Sequence, residues 1–116
     1  MTDRELLELA AKAAGMGPLD FDYAEREGHG LYFGPRLPAP KNKIMAAMHS
    51  YWNPLTNDGD AFRLAVELRM RVSITTESAL AETIAGLSVR VNGADELAAT
   101  RRAIVEAAAE IGRRMV

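Results

Sequence analysis

Several groupings in this chain have the residue types for chemistry, and their spacing decides what each can do. Asn57-Asp58-Gly59-Asp60 offers the oxygen ligands that suit Ca2+ or Mg2+. An EF-hand loop, however, needs an Asp at its first position when a Gly stands at its sixth. Placing Gly59 at the sixth puts Pro54 at the first, so the group reads instead as a helix N-cap with acids against the positive end of the dipole. Gly28-His29-Gly30 and Gly15-Met16-Gly17 suggest phosphate loops, but a dinucleotide fingerprint is G-x-G-x-x-G between a strand and a helix. After Gly30 the next glycine is Gly34, one residue late, and the chain runs on into β-prone residues, so turn glycines account for both. His29 and His49 have no third ligand at a recognisable spacing. As general bases they need a carboxylate that Glu27 or Asp58 supplies only through tertiary contact, and they read as loop or surface histidines. Neither Ser50 nor Ser73 lies in a G-x-S-x-G elbow. The absence of cysteine removes thiolate zinc sites, cysteine nucleophiles and disulfides. The basic cluster Arg101, Arg102, Arg113 and Arg114 is interrupted by Glu106 and Glu110 at i, i+4 steps, which makes an ion-pair ladder rather than a phosphate track. No catalytic residues, no metal and no cofactor follow from these patterns.

What remains is apolar recognition. Met45, Met48, Tyr51 and Trp52 are of the types enriched in interface cores. For Trp52 a structural role is the stronger reading, plugging one end of a sheet before the middle helix; Met45, Met48 and Tyr51 keep the interface reading.

The elements that must position these residues fit one domain spanning 1–116. With 48% hydrophobic and 26% charged residues the chain belongs with globular proteins rather than disordered ones. Fourteen Lys and Arg against 16 Asp and Glu, a net charge of −2, argue against a nucleic-acid binder. The charged start, Met1 to Glu5, opens no secretory signal, and no apolar run approaches the roughly 20 residues of a membrane span. A cytoplasmic protein without membrane contact is expected.

Thr2 and Glu5 form a capping box, Leu6, Leu9, Ala10 and Ala13 recur at helical spacing, and Gly15 and Pro18 stop the helix. Over 19–34, Leu19, Phe21 and Tyr23 alternate with polar residues and Glu27 to Gly30 turn the chain, which predicts a hairpin. Pro35, Pro38 and Pro40 keep the loop at 35–51 from joining the sheet as a central strand. That loop is expected to be mobile in the free protein and to form the contact surface. A largely apolar helix begins after Asp58, with only Arg63, Glu67 and Arg71 marking a polar stripe, and is expected to pack on a sheet over a wide face. Val72 and Ile74 alternate as a strand, 77–85 fits either a strand or a short helix ended by Gly86, and Leu87, Val89 and Val91 give a further strand before the Asn92-Gly93 turn. The closing helix carries Leu97, Ile104 and Ile111 at seven-residue spacing, with Ala98 and Gly112 small enough to let its backbone approach a sheet.

Two segments, 52–66 (Trp52-Asn53-Pro54-Leu55-Thr56-Asn57-Asp58-Gly59-Asp60 and the helix start that follows) and 99–112 (Ala99-Thr100-Arg101-Arg102-Ala103 onward), resemble small phage and prophage proteins of the phage alpha-beta-alpha sandwich type. The resemblance implies an antiparallel sheet covered by helices and a source in a phage or prophage, and it carries no catalytic residues onto this chain. The expected fold is therefore α+β, with about four antiparallel strands and three helices in the order α-β-β-α-β-β-α, the middle and closing helices supplying most of the core. The expected function is that of a non-enzymatic phage accessory protein in a bacterial host cell, binding a host or phage protein or a second copy of itself. The alternative is a small-ligand or nucleotide-binding domain using the loop at 35–54 and the helix terminus at Asp58.

Overall fold

Helix α1, Asp3–Ala13, begins where its sequence says it should. The Thr2 hydroxyl accepts from the Glu5 N–H at 3.1 Å, and the Glu5 carboxylate accepts from the Thr2 N–H at 3.3 Å. It ends in a Schellman motif: Gly15, at φ 76°, donates to the Lys12 carbonyl and Met16 to that of Ala11. In this computed structural model residues 1–16, 19, 21 and 52–115 are described. Most of the expected hairpin at 19–34 and the whole loop at 35–51 lie outside them. Phe21 is helical and buried rather than extended, with the Arg4 guanidinium 4.6 Å above its ring.

Three further elements precede the last helix: α2 (Asp58–Glu67), β1 (Arg71–Ile74) and β2 (Ser78–Glu82), with β3 (Ser88–Asn92) after them. The described strands form an antiparallel meander in the order β1-β2-β3, three strands where about four were expected. Residues 78–82, ambiguous in sequence, are the central strand. The ambiguity has a plain cause: the inward positions of β2 are Ala79 and Ala81, and alanine is a better helix former than strand former. Gly86, at φ 89°, belongs to the β2–β3 turn, closed by the Thr83 hydroxyl accepting from the Leu87 N–H. Register places Val72, Ile74, Val89 and Val91 on the face of Ala79 and Ala81, while Arg71, Ser73, Ser78, Glu82, Ser88, Arg90 and Asn92 form a polar opposite face.

Helix α3, Glu96–Arg114, is capped by Asp95 and is the centre of the molecule. The sheet, α1 and α2 all pack on it, and its most extensive contact is with α1. Two expectations are corrected here. The middle helix packs on α3, not on the sheet, and buries only Ala61, Leu64 and Ala65. The most extensive helix pairing is α1 with α3, so α1 contributes more to the core than expected. Being covered from three directions explains why α3 is so rich in alanine: Ala99, Ala103, Ala107, Ala108 and Ala109 are buried beside Ile104 and Val105.

The small residue at 112 serves α1, not the sheet. Asp3 pairs with Arg102 at 3.1 Å, and Lys12 donates to the Met115 carbonyl at 3.3 Å, so the two helices run parallel. At their closest approach a Cβ on Gly112 would collide with the Leu9 backbone carbonyl. Gly112→Ala in an isolated helix would gain about 1 kcal/mol of propensity. Here the obstacle is backbone and cannot swing aside, so the sign reverses: a net loss of about 1–3 kcal/mol is expected in urea unfolding. A stabilised variant would show that α1 and α3 do not approach this closely.

Candidate functional site

Of the residues expected to bind, Met45, Met48 and Tyr51 lie outside the described residues, as do His29 and His49. Trp52 is 5% exposed and belongs to the core. Its neighbours show why the segment is built this way. The Asn53 side-chain oxygen accepts from the Leu55 N–H at 3.1 Å, an Asx turn that leads into α2. The Asn53 N–H donates to Asp60 at 3.0 Å, and its carbonyl accepts from the Asn57 N–H at 2.9 Å. Pro54 is fully buried. Asn57 is the N-cap, accepting from the Asp60 N–H at 2.9 Å. Asp58 accepts from Arg101 at 2.6 Å, while the Arg101 Nε–H donates to the Leu55 carbonyl at 2.8 Å. The Trp52 to Asp60 stretch is thus a bolt between the start of α2 and the side of α3, and its acids are engaged within the fold.

The basic residues of α3 are likewise engaged. Arg102 lies between Asp3 and Glu106, and Glu110 between Arg113 and Arg114. Arg113 donates to both Glu110 oxygens, at 2.7 and 3.2 Å, which holds the Glu110 carboxyl below its ordinary value.

The feature that the sequence did not single out is an apolar groove of about 500 Å³ between α2, β1 and the start of α3. Its walls are four large side chains left open to solvent: Phe62 at 69% exposure, Val66 at 60%, Ile74 at 60% and Leu97 at 62%. Ala65 and Ile104 are buried beneath them. Phe62 and Val66 are one turn apart on α2, beside the stripe that meets α3. The apolar face of α2 is wider than its single partner helix, and the surplus stays uncovered. Sequence periodicity marks these residues as apolar but cannot separate the covered stripe from the open one.

The two ends of the groove carry opposite charge. Asp58 stands at the N-terminal end of α2 and Arg69 just beyond its C-terminal end. Arg69 occupies the left-handed position of a second Schellman motif, at φ 53°, donating to Val66 while Met70 donates to Ala65. Glycine is the unstrained residue there, and among the described residues Arg69 is the one non-glycine with a positive φ. An arginine held at such a cost points to use of its side chain. What this arrangement can do is bury apolar side chains, each contributing about 1.5–3 kcal/mol when fully covered, and pair one charge at each end.

Among the described residues no group of three metal-ligating side chains comes together, and no helix is long and apolar enough to cross a membrane. Comparison with protein-family models, with curated proteins and with solved structures finds no match to this chain.

Proposed function

We propose that this protein is a non-enzymatic interaction module, a phage or prophage accessory protein acting in the host cytoplasm, and that the groove beside α2 is where it takes a protein partner. The observation that supports this reading is the cluster of Phe62, Val66, Ile74 and Leu97, four large apolar side chains exposed around one concavity. Such contiguous exposure marks interaction surfaces. The phage assignment rests on the resemblance of the Trp52–Val66 and Ala99–Gly112 segments. A partner binding here presents apolar side chains to the walls. The small-ligand alternative relies on the α2 terminus, where Asn57, Asp58 and Asp60 already bond within the fold.

A photo-crosslinking residue placed at position 62, with position 90 on the polar sheet face as control, tests the reading in bacterial cells. Intermolecular protein adducts are expected from position 62 and not from 90. Absence of adducts at 62, adducts only within the same chain, or equal yields at both positions would sink the proposal.

A further inference from the structure

We infer that the occupant of the groove is a second copy of this chain, joined through the β1 edge; the inference rests on the interaction reading above and names its partner. β1 pairs with β2 alone among the described strands, so its outer edge presents unpaired backbone groups. Edge strands are commonly protected by proline, a bulge or an inward-pointing charge. β1 reads Arg71-Val72-Ser73-Ile74, and its inward positions are Val72 and Ile74, so it has none of these.

The geometry of self-pairing is restricted. Two copies of β1 meeting antiparallel about a two-fold axis at Ser73 put Val72 of one opposite Ile74 of the other. All four apolar side chains then lie on the α3 side of a joined six-stranded sheet. A slip by one residue would set Arg71 against Ile74 and mix the faces. The same axis, perpendicular to the sheet, places α2 and its copy on one side, antiparallel, with Phe62 and Val66 of each turned to the surface that the other leaves open.

Charge supports this occupant over others. In an antiparallel pair of α2 helices, Asp58 of one copy approaches Arg69 of the other, twice over, and the helix dipoles oppose. The groove is therefore self-complementary: apolar in the middle and oppositely charged at its ends, as a two-fold interface requires. It also gives a use to the strained Arg69, whose charge would be lost with the unstrained glycine.

Sedimentation equilibrium of the full chain over a concentration series reads the result. The wild type is expected to form dimers at the higher concentrations. Ile74→Lys, a change at an exposed position, brings two like charges together at the axis. It should weaken the dimer by roughly a hundredfold with the circular dichroism spectrum unchanged. Arg69→Gly relieves the left-handed strain, so its Tm measured at monomer concentrations rises while its dimer weakens by roughly tenfold. A wild type that stays monomeric, a dimer indifferent to Ile74→Lys, or an Arg69→Gly variant that dimerises as well as the wild type would each overturn the inference. The crosslinks at position 62 separate the two proposals: adducts solely to a different protein, from a monomeric chain, remove the second copy and leave the interaction reading standing.

Discussion

Trp52→Ala is expected to lower unfolding stability by about 3–5 kcal/mol, the range for deleting a buried large aromatic. Domains of this size hold about 5–15 kcal/mol in total, so the variant should melt far earlier and populate unfolded chain in mild urea. The magnitude follows from position as well as size. Trp52 is buried at the head of the segment in which Asn53 bonds Leu55, Asp60 and Asn57, and Pro54 is buried beside it. Removing the indole loosens the bolt that holds the start of α2 to α3, so the cavity and the lost anchoring act together. Phe62→Ala makes the control, because an aromatic of similar bulk is removed from an exposed site and should cost about 0.5 kcal/mol or less. If Trp52→Ala cost less than about 1 kcal/mol, the indole would not be a core element, and a direct binding role for Trp52 would regain its place.

Ile104→Ala is expected to cost about 2–5 kcal/mol. Ile104 is buried on α3 next to Val105, in the helix that every other described element except the start of the chain's middle segment packs against, and it forms part of the groove floor. One side of the space left by the missing atoms opens toward the groove, so water reaches it and the loss should fall in the lower half of that range. Leu97→Ala supplies the comparison. Leu97 and Ile104 are seven residues apart and equivalent by periodicity, but Leu97 is exposed, and its truncation should leave the denaturant midpoint nearly unchanged. Equal losses for the two would mean that the groove wall at Leu97 is covered in the folded protein.

The sequence by itself determined what is local. The Thr2–Glu5 capping box, the Gly15 stop, the Asn57 cap and the alternation of β1 and β3 involve partners within a few residues, and hydrogen bonds over that range are set by residue type and spacing. The α+β class and the structural weight of Trp52 were legible for the same reason. What the tertiary structure alone decided is which neighbour each apolar face meets. Phe62 and Leu64, or Leu97 and Ile104, are alike as apolar residues in helices, yet one of each pair is open and the other buried. Hydrophobicity drives a side chain toward any partner without naming one, so exposure depends on which element arrives and how wide it is. Gly112 could serve a close approach to a sheet or to a helix; only the parallel packing of α1 on α3 assigns it to Leu9. Ala79 and Ala81 carry too little strand preference to declare β2, and pairing on both sides made it the central strand. The groove arose in the same way, from an apolar face on α2 broader than the single helix that came to cover it.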